Sequence, residues 1–312
     1  MDNKYKLNYK FSPPDKNDIK LNVPLRSSSS LPSVVSLKEH WGDLLDQGSL
    51  GSCTSNTVAG CIRYCVLKNN NKLFHPSRLF IYYNGRCLPG YDVNQDTGLF
   101  IRDGYKSVNK NRVCTEELWE YDISKFTVKP PNKTYKQATE LNNHFTYFNV
   151  NQDLFTIKSC LAEGYPISFG LILYDSFMTE QVKKTGQVPL PNVYIENIIG
   201  GHAITIVGYD DKKKIFTIAN SWSTDWGDKG FCYIPYDYIL DPSFASDFWT
   251  VRVYDINETQ NKQNIMNNEI EQFINKDSVR NCIQNNYMDK IKEIVEDMIK
   301  ESIENILKQY LK

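Results

Sequence analysis

The sequence lacks a long apolar run, and its positive and negative charges almost cancel. No stretch approaches the roughly 18 consecutive apolar residues of a membrane-spanning helix. The 36 lysines and arginines face 37 aspartates and glutamates, which gives a formal net charge of −1. Without an excess of positive charge there is no electrostatic case for nucleic acid or an anionic membrane as a partner. The hydrophobic content of 41% instead indicates a globular core.

The N-terminus also lacks the apolar segment of a secretory signal. Its first residues, MDNKYKLNYKF, are mostly charged and polar, so no signal peptide is visible. Eight cysteines are present, and reserving one of them as a nucleophile leaves an odd remainder of seven. Both features argue against a complete disulfide framework. They favour a cytoplasmic or particle-associated protein.

Histidine is scarce, which narrows the search for a general base. Of four histidines, only His202 lies in a glycine-flanked, strand-like context, GGHAITIVGYD. Ala203–Tyr209 is an apolar, β-branched run typical of a buried strand, and Ile215–Ala219 is a second such run. The polar residues between them predict a β-hairpin. This hairpin would bring His202 and Asn220, 18 residues apart, toward the same end of a sheet.

A candidate nucleophile lies in the segment QGSLGSCTSNTVAG, residues 47–60. The segment is rich in Gly and Ser up to Ser52, and the residues Thr54–Leu67 then favour a helix. Cys53 lies at this junction, where unsatisfied N–H groups and the helix dipole favour an anion and therefore a thiolate. Gln47, six residues upstream, offers an amide donor for an oxyanion next to the cysteine. An asparagine such as Asn220 can orient the imidazole of a Cys–His pair.

The motifs QGSLGSC, GGHA and NSW, in this order, resemble those of the papain-like cysteine peptidases. His202 follows Cys53 by 149 residues, within the spacing of roughly 130–150 residues that this family shows. The resemblance implies that Cys53 is the nucleophile, His202 the general base, Asn220 the orienting group and Gln47 the oxyanion-hole donor.

The resemblance also implies substrate-binding positions. It places Gly98 on one wall of the cleft, although the usual paired glycine is missing and Gly98 also fits a simple turn before a helix. It places Gly201 beside the candidate base, and it implies that Trp222 shields the hydrogen bond between Asn220 and His202 from water. Leu50 stands where the best-known members carry a disulfide-forming cysteine, so that bridge is expected to be absent.

The expected fold is α+β: a helical left subdomain, a β-barrel-like right subdomain and a cleft between them, over residues 31–256. Residues 1–30 are polar, with proline and serine runs, and predict an arm and linker packed on the domain surface. They are too few for the long helical inhibitory prosegment of many papain-like enzymes. Residues 257–312 predict a helical C-terminal extension that docks on the domain or on a partner: residues 257–268 are a polar linker, and residues 269–312 are charged with apolar residues at helical spacing.

The resemblance implies a cysteine-type endopeptidase acting on polypeptides through a Cys53 thiolate, a His202 imidazolium and an acyl-enzyme. This chemistry requires no metal or organic cofactor. The predicted loop Asp175–Ile199 lacks the histidine pair of relatives that act as carboxydipeptidases, which favours an endopeptidase. Two alternatives remain open: another Cys–His amide hydrolase or acyltransferase, in which Asp is the more common third residue, and a non-catalytic binding module on the same fold.

Overall fold

The computed structural model of the chain describes residues 4–23, 31–70, 72–141, 143–255, 295–297 and 299–300. The chain divides into two compact units, Met1–Val253 and Tyr254–Lys312. Of the second unit, the described residues 295–297 and 299–300 have helical backbone. The rest of the predicted extension over 257–312 lies outside the described residues, so its docking stays a prediction.

The first unit is built around a long helix, α1, which spans Cys53–Asn70. The helix predicted over Thr54–Leu67 is therefore confirmed, with one further residue at its start and three at its end. All residues from 53 to 66 are buried, so this helix passes through the core and has no solvent face in that stretch. The other α-helices of the unit are α2 Arg78–Gly85, α3 Ile101–Asn111, α4 Asn132–Glu140, α5 Leu154–Ala162, α6 Glu180–Thr185 and α7 Tyr236–Leu240.

A seven-stranded sheet packs beside these helices. Its strands are β1 Val34–Ser36, β2 Asn143–Asn149, β3 Ile167–Tyr174, β4 Ile198–Asp210, β5 Ile215–Ala219, β6 Phe231–Pro235 and β7 Ala245–Asp255. The strand order is β2-β7-β3-β4-β5-β6, and β1 pairs with β4. This mixture of a helical part and an antiparallel sheet is the α+β architecture expected from the sequence.

The predicted β-hairpin is confirmed as β4–β5. The two strands run antiparallel, with Thr205 opposite Ala219 as the last pair before the chain leaves β5. The part of β4 before Thr205 therefore has β3 on one side and no strand on the other among the described residues. An open stretch of strand edge presents unpaired backbone groups to any extended chain that lies beside it.

The segment predicted as a loop over 175–199 contains local helical structure instead. A 3₁₀ helix covers Asp175–Met178, and α6 follows it. Thr179 caps α6, because its hydroxyl accepts a hydrogen bond from the Val182 N–H. Gly186 ends the helix in a left-handed conformation, with φ of 68°. The capping residues explain why so short a stretch is ordered as a helix.

The cysteines of the described residues are all free thiols. Seven are present there, at positions 53, 61, 65, 87, 114, 160 and 232, and only Cys87 is exposed. Cys61 contacts the Ser168 hydroxyl at 3.2 Å, and Cys65 contacts the Val251 carbonyl at 3.5 Å. Leu50, which replaces a disulfide-forming cysteine of the best-known family members, thus lies in a part of the chain whose cysteines are all unpaired. None of its helices is long and apolar enough to cross a membrane.

Candidate active site

Cys53 is the first residue of α1, so its side chain lies where the helix presents unsatisfied N–H groups. The backbone N–H groups of Ala203 and Thr54 face the thiol. Thr57, one turn further along the helix, donates to the Ala203 carbonyl at 3.1 Å. These contacts join the start of α1 to β4 next to His202. The nucleophile predicted from one motif therefore lies beside the strand that carries the predicted base.

The hydrogen bond between His202 and Asn220 defines which imidazole nitrogen carries the proton. His202 Nε2 lies 2.8 Å from Asn220 Oδ1, and the Ser221 N–H donates to the same oxygen at 2.8 Å. Since the Ser221 N–H requires an acceptor, this atom is the amide oxygen, and Nε2 must be the donor to it. A neutral ring then has its lone pair on Nδ1, which has no hydrogen-bond partner among the described residues. His202 is thus held in the tautomer that accepts a proton at Nδ1.

Trp222 covers this hydrogen-bonded pair. Its indole is completely buried and stacks on the His202 ring, with centroids 4.8 Å apart and an interplanar angle of 24°. Exclusion of water strengthens a hydrogen bond, because the surrounding dielectric is low. The geometry agrees with the shielding role expected from the resemblance.

Gln47 lies on the other side of the cysteine loop and is completely buried. Its Oε1 accepts a hydrogen bond from the Ser221 hydroxyl at 2.9 Å, and its backbone N–H donates to the Ser221 carbonyl at 2.9 Å. Two backbone carbonyls fix the amide orientation, because a carbonyl can only accept a hydrogen bond and must therefore face Nε2. That Nε2 donates to the Leu50 carbonyl at 3.1 Å and to the carbonyl of Lys6 at 3.2 Å. Ser221, which the sequence analysis missed, therefore aims the predicted oxyanion donor.

A buried arginine, which was not predicted from the sequence, holds this loop in place. Arg78, at the start of α2, pairs with Glu116, with Nε 2.9 Å from a carboxylate oxygen. Its remaining N–H groups donate to the Asp46 carbonyl at 2.9 Å and to Asn56 Oδ1 at 3.0 Å. Arg78 therefore ties the residue before Gln47 to the first turn of α1. A substitution there would disturb the relative position of donor and nucleophile.

The N-terminal arm lies in the cleft, rather than only on the surface of the domain as the sequence predicted. The Tyr5 ring stacks on Trp222, with centroids 4.8 Å apart and an angle of 7°, and its hydroxyl donates to the Trp222 carbonyl at 2.9 Å. The carbonyl of the next residue, Lys6, accepts a hydrogen bond from Gln47 Nε2. The arm has no sequence periodicity that reveals this path, because its contacts are with residues distant along the chain.

The arm continues along the open edge of β4 and meets both predicted substrate-binding glycines. The Tyr9 N–H donates to the Gly201 carbonyl at 3.2 Å, and Asn8 forms a parallel β-bridge with Gly201. Gly98 lies against Asn8 and has a left-handed backbone, with φ of 73°. A Cβ at Gly98 would collide with the Asn8 carbonyl. Both glycines thus allow an extended backbone to lie in the cleft.

Tyr9 enters a pocket beyond this edge and is 7% exposed. Its ring packs against Gly170, where a Cβ would collide with it. Its hydroxyl lies 3.3 Å from a carboxylate oxygen of Asp247, which also accepts a bond from the Ser12 hydroxyl at 2.7 Å. Tyr9 is also close enough to Cys53 for the two groups to interact electrostatically. The arm therefore occupies the cleft near the nucleophile.

Burial of the site keeps both reactive groups neutral. Cys53 is 1% exposed, and burial raises the pKa of its thiol to about 11, although the N–H groups of Ala203 and Thr54 oppose the rise. Burial also lowers the pKa of His202 to about 4, against the hydrogen bond to Asn220. The prediction of a lowered thiol pKa is therefore wrong for this arm-covered state. The helix terminus and nearby N–H groups favour the thiolate, but the loss of water outweighs them.

The free energy of unfolding should fall in acid because of His202. Its pKa is about 4 in the folded chain against an ordinary 6.5, so its contribution is complete above pH 6.5 and disappears as the pH falls to 4. The difference corresponds to roughly 3 kcal/mol. Urea unfolding of Cys53→Ala, which avoids self-cleavage, should therefore lose about 3 kcal/mol more between pH 7 and pH 4 than the non-titrating variant Cys53→Ala/His202→Gln. Equal losses in the two proteins would contradict the burial of a neutral His202.

Comparison with known proteins agrees with this geometry. The model of the papain family of cysteine proteases matches residues 34–240. Xylellain, a cysteine protease from Xylella fastidiosa, is similar in structure, with a TM-score of 0.72 and 35% identity, covering 81% of this chain and 98% of xylellain. An uncharacterized peptidase C1-like protein of Acanthamoeba polyphaga mimivirus is 41% identical over 230 residues, which are 71% of this chain and 73% of the viral protein.

A more distant relative is cathepsin K of Gallus gallus, 26% identical over 218 residues, 65% of this chain and 59% of the cathepsin. The family match covers well over half of the chain, and the viral protein and xylellain both exceed 30% identity over more than two thirds of it. Together with the Cys53, His202 and Asn220 geometry, these matches identify the chain as a cysteine-type peptidase that belongs to the papain family.

Proposed function

We propose that the chain is a cysteine endopeptidase in which Cys53 attacks a peptide carbonyl and His202 is the general base. The observation that carries the proposal is the hydrogen bond from His202 Nε2 to Asn220, which leaves the lone pair of Nδ1 unpartnered beside the start of α1. The roles assigned to Gln47 and Trp222 rest on their contacts in the same site.

In the proposed reaction, proton transfer from Cys53 Sγ to His202 Nδ1 produces a thiolate–imidazolium pair once the cleft is open to water and substrate. Sγ then forms a bond to the peptide carbonyl carbon, and the resulting oxyanion accepts hydrogen bonds from Gln47 Nε2 and the Cys53 N–H. His202 returns the proton to the leaving amine as the C–N bond breaks. Water, deprotonated by His202, hydrolyses the acyl-enzyme and restores the thiol.

The substrate would be an extended polypeptide lying along the open edge of β4. The arm supports this assignment, because its backbone pairs with Gly201 there and its Lys6 carbonyl reaches Gln47. An edge strand recognises any extended chain through backbone hydrogen bonds, and pockets for side chains add selectivity. Residues 175–199 contain no histidine and so lack the histidine pair of relatives that act as carboxydipeptidases, which favours internal cleavage.

The arm would hold this enzyme inactive, since a bound substrate and the arm need the same backbone and oxyanion positions. Neutral Cys53 and neutral His202 are the expected states under such a cover. Departure of the arm would expose the pair to water and remove the burial that raises the thiol pKa. Activity of the full chain then depends on how often the arm leaves the cleft.

The proposal is tested by labelling the full chain with an epoxide-type thiol peptidase inhibitor and locating the adduct by mass spectrometry. We expect one adduct per chain on Cys53, formed slowly because of the arm and absent in His202→Ala. Exposed Cys87 should stay unmodified, since its thiol contacts the Tyr83 hydroxyl and not an imidazole that could activate it. Mass spectrometry of a digested unfolded polypeptide should show internal cleavage sites. Modification of Cys87 alone, with no polypeptide cleaved, would contradict the proposed function and favour a binding module.

A further inference from the structure

Asp96 is a carboxylate on the cleft wall that takes no part in the proposed chemistry. It lies two residues before Gly98, and its side chain is 11% exposed. The Gly51 N–H, two residues before the nucleophile, donates to its two oxygens at 3.2 and 3.0 Å. The Tyr82 hydroxyl donates to the same carboxylate. Asp96 is therefore fixed in position next to the cysteine loop.

The arm shows what this carboxylate can bind. The Lys6 carbonyl accepts a hydrogen bond from Gln47 Nε2 at 3.2 Å, and the Lys6 ammonium forms an ion pair with Asp96 at 2.8 Å. One residue thus occupies the oxyanion donor with its backbone and the carboxylate with its side chain. A Cβ at Gly51 would lie 2.9 Å from an oxygen of Asp96, so glycine allows the close approach of these groups.

No cation of the domain itself pairs with Asp96 among the described residues. The nearby guanidinium of Arg86 donates instead to the carbonyls of Tyr82, Val93 and Gln95, at 3.2, 2.8 and 2.7 Å. When the arm leaves the cleft, Asp96 loses its ion-pair partner but keeps its hydrogen bonds to the Gly51 N–H and the Tyr82 hydroxyl. A fixed carboxylate without a counter-charge favours a ligand that brings a positive charge, because charge-assisted hydrogen bonds are stronger than neutral ones.

We propose that Asp96 determines substrate specificity by binding a lysine or arginine side chain on the residue that contributes the carbonyl of the cleaved bond. The inference rests on the proposed peptidase function and names its substrate class. The ammonium of lysine reaches Asp96 as Lys6 does, and the guanidinium of arginine can bind both carboxylate oxygens. A neutral side chain at this position leaves Asp96 without an ion-pair partner, and an acidic side chain is repelled by its negative charge.

The test compares four fluorogenic peptides that differ only at this residue, with arginine, lysine, norleucine or glutamate. For the full wild-type chain, kcat/KM for the lysine peptide should exceed that for norleucine at least about tenfold, the usual worth of a hydrogen-bonded charge. In Asp96→Asn the ratio should fall to about two or less. Because both peptides compete with the same arm, the ratio is independent of how often the arm leaves.

The matched control is Asp92→Asn, which removes the same charge four residues away on an exposed turn. It should keep the wild-type ratio. An unchanged ratio in Asp96→Asn, or a wild-type enzyme that cleaves the norleucine peptide as well as the lysine peptide, would overturn the inference while leaving the peptidase function intact. If none of the four peptides is cleaved, both the proposed function and the inference are contradicted.

A second measurement leaves the domain unchanged, in case Asp96→Asn does not fold. Lys6→Met removes the cation that the arm places on Asp96, so activity on the norleucine peptide should rise at least about threefold, whereas Lys6→Arg should change it little. Lys10→Met makes the same charge change at an exposed arm position and should have no effect. Equal activities of Lys6→Met, Lys6→Arg and the wild type would show that Asp96 does not select a positive charge.

Discussion

Replacing Cys53 by alanine is expected to lower kcat/KM for peptide hydrolysis by at least about 10⁴-fold, as removal of the nucleophile does in other covalent peptidases. The reason is that Cys53 lies at the start of α1, which contacts the strand of His202, whereas five of the other six described cysteines are buried elsewhere and Cys87 is exposed. The measurement is the initial rate on a cleaved fluorogenic peptide, with the melting temperature recorded on the same samples.

The fold should survive this substitution. The side chain of Cys53 is small, and α1 keeps its hydrogen bonds to Ser52 and β4 through Asn56 and Thr57. Cys87→Ala is the matched control, because it removes an exposed free thiol and should retain full activity. Activity retained in Cys53→Ala, or lost equally in Cys87→Ala, would refute the assignment of Cys53 as the nucleophile.

Tyr9→Ala is expected to raise the activity of the full chain about 10²-fold. Tyr9 is the most buried side chain among the described arm residues 4–23, with its ring against Gly170 and its hydroxyl near Asp247. Truncating a buried aromatic side chain to alanine typically costs about 3 kcal/mol or more, and here the cost falls on the docked arm. A cost of about 3 kcal/mol raises the population of the open cleft about 10²-fold, provided that the arm is docked most of the time.

Two readouts separate arm release from a change in chemistry. The initial rate on a peptide substrate and the rate of Cys53 modification by a thiol reagent should both rise, since both depend on the open cleft. Lys10→Ala changes the neighbouring exposed residue and should leave both rates unchanged. If Tyr9→Ala left the rates at the wild-type level, the arm would be a structural part of the domain that does not restrict access to Cys53.

Under the proposal that the arm holds the enzyme inactive, the pKa shifts of the reactive pair, which oppose catalysis, belong to the covered state. A thiol pKa of about 11 and an imidazole pKa of about 4 both favour the neutral forms at pH 7. These values belong to a site without access to water. A latent enzyme needs no change in its catalytic residues, only a cover that keeps the reactive pair dehydrated.

The sequence by itself determined the elements that carry the candidate site. The helix beginning next to Cys53 and the hairpin joining His202 to Asn220 follow from residue patterns within about 20 residues, where local backbone preferences decide. The Gln47 position followed from its spacing in the same short segment. These predictions agree with the positions in the structure because each depends on a single helix, strand or turn.

Only the tertiary structure decided the path of the arm and the surroundings of the reactive groups. Residues 5–9 contact Trp222, Gln47 and Gly201, which lie far away along the chain, and a polar arm has no periodicity from which such contacts can be predicted. The directions of the pKa shifts of Cys53 and His202 could not be predicted from the sequence for the same reason. Residue type and helix position favour a thiolate at Cys53, but burial in the folded chain removes water and reverses that preference.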